Sequence, residues 1–245
     1  MKTYEQYALE ELKIWQHDML ARPSMMNGIT SGIQQRVNHL IPEKIHHIIT
    51  EAIKNMIKAV LLGSEFTTDI PLTAASLEER ERLVGEKNNF YRRAGAVSGA
   101  GTGAGGLLLG LADFPILLSL KMKFLFDTAT LYGFNVSDYR ERLYTLYIFQ
   151  LAFSSQERRA EVYRLVLDWD NHVSGLPTDL NLFDWRTLQQ QYRDYIDLAK
   201  MLQLVPGIGA VVGAYANYKL IDKLAKTAKN AYRMRFLQLQ SFSTK

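Results

Sequence analysis

The chain has 245 residues, of which 47% are hydrophobic and 22% charged, and this composition excludes an intrinsically disordered protein. It has no cysteine, which excludes a disulfide framework and thiolate metal sites and fits a reducing cytoplasm. The formal net charge is +4. Residues 1–6 include the acidic Glu5 where a secretory signal needs a basic flank and then an apolar run, so we expect no secretory signal there.

Helical periodicity dominates the first part of the chain. Apolar residues at spacings of three and four predict an amphipathic helix over residues 4–21. A weaker pattern predicts a second helix over 24–40. Pro42 suits the first turn of a third helix, and Gly63 marks its end.

Residues 64–75 have the composition of a loop. The sequence Ser76-Leu-Glu-Glu79 that follows is a capping box. It predicts the start of a charged helix that runs towards Arg93.

A glycine-rich run without any charge follows this helix, over residues 94–112. Glycines four residues apart lie on one side of a helix, where missing side chains let another backbone approach. Glycine in a helix costs about 1 kcal/mol relative to alanine, so these glycines predict a close packing contact. The packing glycines of this run are Gly95, Gly99 and Gly103.

Asp113 and Pro115 interrupt the apolar run, and we predict that Asp113 caps a helix with Pro115 in its first turn. Gly133 is the predicted end of that helix. Asp113 is also the only acid in this apolar region, so the alternative is a functional carboxylate that receives a proton or a cation. Pro115 favours the cap. Arg93, at the other border of the uncharged run, is the second candidate functional residue.

Three further elements are predicted in the middle of the chain. A helix begins at Ser137 or Asp138, and Ser154-Ser-Gln-Glu157 is a second capping box that opens the next helix. Residues 174–184 are predicted to form a loop, and residues 185–204 another helix.

The glycine pattern returns at residues 206–213, ahead of a long basic helix that we predict to end near Leu239. The packing glycines here are Gly207, Gly209 and Gly213. No segment shows the alternation of a strand, so the predicted fold is all-α. We expect a single domain over 1–245, with two Gly-rich helices packed pseudo-symmetrically at its centre.

The last helix has a basic stripe that predicts an anionic partner. Residues 206–245 contain seven basic residues and one acidic residue. Five basic residues recur at spacings of three and four, which places them on one face: Lys219, Lys223, Lys226, Lys229 and Arg233. This face is predicted to bind an anionic membrane surface. The ordinary alternative is a solvated basic face on an amphipathic core helix.

Several of these motifs resemble those of the EcsC family of bacterial proteins. The resemblance lies in Glu11-Leu-Lys-Ile-Trp15, Ile41-Pro42, Arg93-Ala-Gly-Ala-Val-Ser-Gly with Ala112-Asp113-Phe-Pro115, and Pro206-Gly-Ile-Gly-Ala-Val-Val-Gly-Ala-Tyr-Ala-Asn217. It covers almost the whole chain. The family is named for a member encoded beside an ABC exporter and has no established active site, so the resemblance implies no catalytic residues.

Two motifs that elsewhere bind cofactors occur here without the context they need. Residues 101–106 match the dinucleotide fingerprint, but a charged helical segment precedes them instead of a strand. Glu43 and His46 have the spacing of a di-iron ligand pair, but such sites need two of these motifs. We therefore expect no cofactor and no metal ion.

The function that the sequence favours is non-enzymatic action at a membrane surface. Residues 94–112 are long enough to span a bilayer, yet Gly, Ser and Thr favour a buried core helix over an inserted hairpin. We expect a cytoplasmic protein, peripheral at the inner face of the plasma membrane, whose partner is an anionic surface or a membrane protein such as an ABC-type transporter. The alternatives are a carrier of lipid or another hydrophobic ligand and an enzyme with an unrecognised site. Nucleic-acid binding ranks lowest, because only Tyr232 lies near the stripe for base stacking.

Overall fold

The computed structural model describes residues 2–21, 43–62, 70–102, 106–176 and 210–243. Within these ranges the chain forms eight α-helices, which confirms the all-α prediction for the described residues. The helices are α1 (Tyr4–Leu20), α2 (Glu43–Leu62), α3 (Leu77–Thr102), α4 (Gly106–Leu131), α5 (Tyr139–Phe153), α6 (Gln156–Leu167), α7 (Trp169–Ser174) and α8 (Ala210–Ser243).

Local chemistry sets several helix ends as predicted. The Ser76 hydroxyl accepts a hydrogen bond from the Glu79 N–H at 3.2 Å, at the start of α3. Asp138 caps α5 by accepting from the Arg140 N–H at 2.9 Å. Gly133 has a φ of 92° and closes a Schellman motif at the end of α4. Glycine fits this position because side chains disfavour the left-handed conformation.

The prediction that Asp113 caps a helix is wrong. Helix α3 continues beyond Arg93, α4 begins at Gly106, and both Asp113 and Pro115 lie inside α4. A proline inside a helix removes one hydrogen bond and costs about 3 kcal/mol. Phe114 and Leu118, at 0% and 1% exposure, lie on either side of Pro115, and burial of such apolar side chains offsets this cost.

The second predicted capping box is also wrong. Ser155, rather than Ser154, is the N-cap of α6, and its side chain makes no capping hydrogen bond. The Ser154 hydroxyl donates instead to the carbonyl of Gln150 at 2.6 Å, one turn back in α5. Serine hydroxyls commonly compete for such local acceptors. The helices predicted over 24–40 and 185–204 lie outside the described residues.

Helix α5 lies at the centre of the described core. Every residue over 143–153 is buried, as expected of a helix that is covered on all sides. Helices α2, α4, α6 and α8 pack around it. The described residues thus do not show the predicted arrangement, in which two Gly-rich helices occupy the centre.

Helices α3 and α4 form an antiparallel hairpin, and α8 packs along it. Arg80, near the start of α3, donates to the carbonyl of Leu131 at the end of α4. Tyr91, further along α3, donates to Asp127 at 2.9 Å. No helix in the described ranges combines the length and the apolar character that crossing a bilayer requires.

Candidate functional site

The basic stripe of α8 is only partly on the surface, because Arg233 is buried. Its side chain is 1% exposed, and its Nε and Nη2 both donate to the Glu81 carboxylate at 2.5 Å. Nη2 also donates to Glu11 at 2.8 Å, and Nη1 donates to the carbonyl of Ala8 at 3.1 Å. The prediction that Arg233 contacts a membrane is therefore wrong, since its guanidinium joins α8 to α1 and α3.

Tyrosine hydroxyl groups complete this set, which we call the Arg233 cluster and which is buried at Arg233, Glu81 and Tyr132 and half-buried elsewhere: Arg233, Glu11, Glu81, Lys229, Tyr4 and Tyr132. Tyr4 and Tyr132 donate to Glu81 at 2.7 and 3.2 Å. Burial alone would lower the pKa of Arg233, but the two carboxylates outweigh it and raise that pKa. Lys229, a second member of the stripe, forms an ion pair with Glu11 of α1 at 3.1 Å.

A second buried ion pair joins α8 to α5. Arg235 donates to both Glu141 oxygens, at 3.0 and 2.8 Å. Tyr232 donates to Glu141 at 3.0 Å. The Arg235 guanidinium lies 4.2 and 4.3 Å from the ring centroids of Phe134 and Tyr144, which are favourable cation–π distances. The second half of α8 is thus a core element.

The surface part of the stripe lies in the first half of α8. Lys223 and Lys226 are exposed. Lys219 lies on the same helix, but the surroundings of its side chain are outside the described residues. On α3, Arg93 is exposed and its neighbour Arg92 pairs with Asp222 of α8 at 3.1 Å.

Gly95 is the one predicted packing glycine whose surroundings the structure describes. It is buried, and a Cβ added there would lie 3.2 Å from Cδ1 of Ile221 on α8. Such a contact is tighter than most, so α3 and α8 approach closely here. For Gly99, Gly103, Gly207, Gly209 and Gly213, close packing stays a prediction.

Helices α3 and α8 run antiparallel, in a register fixed by three contacts. Glu81 pairs with Arg233, Arg92 pairs with Asp222, and Gly95 lies against Ile221. Both helices rise about 1.5 Å per residue. The same register therefore brings the first turns of α8 beside the last turns of α3, next to the start of α4.

The three helix ends that meet there contain no charged residue. They are residues 94–102 of α3, 106–112 of α4 and 210–218 of α8, which we call the uncharged end. The nearest charged residues on α3 and α8 are basic: Arg92, Arg93 and Lys219. Asp113 follows directly on α4, but its side chain is outside the described residues.

A cavity of about 220 Å³ lies between α2 and α4, beside Pro115. Small side chains leave this space, among them Ala52 and Ala59 of α2 and Ser119 of α4. Asn55 adds an amide to walls that are otherwise mainly apolar. The cavity has room for part of a hydrophobic ligand.

The sequence reasoning missed Lys121, a lysine buried in the interface of α3, α4 and α8. It is 2% exposed, and its Nζ donates to the carbonyl of Leu117 at 3.3 Å. Burial lowers the pKa of Lys121 to about 7. The available signal was its position, because the residues three and four places away on both sides are all apolar: Leu117, Leu118, Phe124 and Leu125.

Comparison with known proteins assigns the chain to a family. The model of the EcsC protein family matches residues 6–237. The chain belongs to the EcsC family. It is 42% identical over 237 residues to Protein EcsC of Bacillus subtilis (strain 168), covering 96% of this chain and 98% of that relative. It is 24% identical over 246 residues to the Uncharacterized protein YdbA of the same strain, covering 96% and 90%. No solved structure matches the chain significantly.

This EcsC family member shows no metal-ligand group among its described residues. No three His, Cys, Asp or Glu side chains in those ranges converge to hold an ion. Glu43 and His46 begin α2, but their side chains are outside the described residues. The features that remain for function are the uncharged end with its basic border, the cavity beside Pro115, and Lys121.

Proposed function

We propose that this EcsC family member is a non-enzymatic protein that binds the anionic surface of a membrane and acts there as an accessory to an ABC-type transporter. The observation that carries the proposal is the uncharged end. Three helix ends without charge meet there, with Arg93, Lys219 and Lys223 on the adjoining turns of α3 and α8. The transporter part rests on the family resemblance alone.

The basic residues at this end complement the anionic headgroups of a membrane surface, and the uncharged helix ends suit the less polar region beneath them. Each basic residue near an anionic surface contributes about 1 kcal/mol of attraction, and salt screens this attraction. Arg93 and Lys223, whose side chains are exposed, together therefore supply about 2 kcal/mol. Uncharged helix ends enter the headgroup region without desolvating a charge. Arg233 and Lys229 contribute nothing here, since carboxylates within the fold hold them.

Sedimentation with lipid vesicles tests the proposal. We expect binding to vesicles of phosphatidylglycerol and phosphatidylcholine, weaker binding at high salt, and little binding to phosphatidylcholine alone. Arg93→Glu and Lys223→Glu should each weaken binding. Lys13→Glu is the matched control, because Lys13 is an exposed lysine of α1, the helix that contacts the opposite half of α8. Equal binding to neutral vesicles, or equal loss in the control, would refute the proposal.

A carrier of a hydrophobic ligand is the second candidate, and the cavity beside Pro115 favours it. Its volume of about 220 Å³ and mainly apolar walls suit part of an acyl chain. Ala59→Met would fill the cavity. If the protein is a carrier, native mass spectrometry should detect co-purified lipid in the wild type and less lipid in this variant. Absence of lipid from both proteins would exclude the carrier function.

A further inference from the structure

Lys121, whose side chain is buried, lines a small chamber where three helices meet. The chamber has a volume of about 10 Å³, which is room for about one water molecule. The only hydrogen bond that Lys121 makes in the described part of the chain is the long one to Leu117 on its own helix. The other residues that line the chamber are Tyr91 of α3, Leu120 and Phe124 of α4, and Ile221 and Leu224 of α8.

The charged groups around the chamber pair with one another. Asp127 of α4 accepts from Tyr91 and pairs with Lys87 at 3.0 Å and with Lys123. On the α8 side, Asp222 pairs with Arg92. No carboxylate in the described ranges pairs with Lys121, and burial is the sole cause of its lowered pKa.

A protonated Lys121 does not fit this chamber as it stands. An ammonium group has three donors, whereas Lys121 donates to one distant carbonyl among the described residues and the chamber has space for about one water molecule. A buried charge without a partner is costly. Water can solvate it if the α8 wall, formed by Ile221 and Leu224, moves away. Ile221 also contacts Gly95 and lies two residues beyond Lys219, so this movement would loosen α8 next to the uncharged end.

We infer that protonation of Lys121 loosens the contact of α8 with the α3–α4 hairpin, so that acidification increases binding of the uncharged end to an anionic membrane. The membrane part of this inference rests on the proposed function. Loosening is a shift of population from a closed arrangement, in which Ile221 and Leu224 cover Lys121, to an open arrangement, in which water reaches its amine.

The two pKa values of Lys121 set the pH range of this shift. The pKa is about 7 in the closed arrangement, against an ordinary value of about 10.4 when water reaches the amine. As pH falls between these values, the ratio of open to closed molecules rises by up to about tenfold per pH unit, and it levels off below about pH 7. An anionic surface also attracts protons, which lowers the local pH by about half a unit.

Three proteins test the inference: the wild type, Lys121→Met and Lys58→Met. Lys58 is an exposed lysine of α2, so its replacement removes the same charge without touching the chamber. Hydrogen exchange over residues 220–224 is measured at about pH 7 and about pH 9 and corrected for intrinsic rates, without lipid. We expect protection to fall towards pH 7 in the wild type and in Lys58→Met, and to stay constant in Lys121→Met.

Sedimentation with phosphatidylglycerol-containing vesicles at the same two pH values supplies the second measurement. Binding should rise towards pH 7 in the wild type and Lys58→Met but not in Lys121→Met. Exchange or binding that keeps its pH dependence in Lys121→Met would overturn the inference. A change in exchange without any vesicle binding would overturn the proposed function and the membrane part, and would leave the opening by Lys121 supported.

Discussion

Replacing Arg233 with methionine should destabilise the protein strongly, because it leaves buried carboxylate charge without its partner. Glu81 has a side chain that is 3% exposed, and the variant leaves it two tyrosine hydroxyls as donors. Removing one member of a buried ion pair costs about 3–5 kcal/mol. The two hydroxyls compensate part of the charge, so we expect about 3 kcal/mol, the lower end of that range.

Urea unfolding measures this loss as a change in the free energy of unfolding. The midpoint should fall while the slope stays constant, which marks a change in stability alone. The double variant Arg233→Met/Glu81→Leu should regain much of the loss, because both charges are then absent. Lys226→Met, an exposed lysine of the same predicted stripe, should change stability by less than about 0.5 kcal/mol. A similarly small effect of Arg233→Met on stability would refute the burial of Arg233 and indicate that its side chain is exposed.

The remaining predictions concern packing, backbone conformation and pH, each measured by chemical or thermal unfolding. Gly95→Leu should destabilise by about 1–3 kcal/mol, because its side chain meets α8, whereas Gly85→Ala in the same helix, with nothing within 4 Å, should stabilise by about 0.5–1 kcal/mol. Gly133→Ala should cost about 1–2 kcal/mol, because its φ is 92°. The unfolding free energy of the wild type should rise between about pH 7 and about pH 9, by up to about 1.4 kcal/mol per pH unit. This follows because the unfolded chain binds a proton on Lys121 that the folded chain releases above a pKa of about 7; the rise should be absent from Lys121→Met.

Helix ends could be predicted from the sequence where neighbouring residues decide them. The Ser76 and Asp138 caps and the Gly133 stop each use backbone groups within a few residues, so their signal is contained in a short window. Pro115 shows the limit of this reasoning. Proline favours a first turn, yet α4 begins at Gly106 and contains Pro115 in its interior.

Whether a basic residue of α8 is exposed or buried could not be predicted from its spacing in the sequence. Lys223 and Arg233 belong to one periodic stripe, yet Lys223 is exposed, whereas Arg233 is buried against Glu81 and Glu11, which are 152 and 222 residues away in sequence. Periodicity states which residues share a face. It does not state where a neighbouring helix covers that face, and this depends on the crossing of whole helices.

The central claim, that the uncharged end meets the membrane, can be tested with an environment-sensitive fluorophore. The chain has no cysteine, so single-cysteine variants can be labelled at one position. Ser98→Cys places the probe in the uncharged part of α3, and Gln238→Cys places it on an exposed position near the opposite end of α8. With phosphatidylglycerol-containing vesicles, we expect a blue shift and increased emission at position 98 and little change at 238. A shift at 238 without one at 98 would contradict the claim.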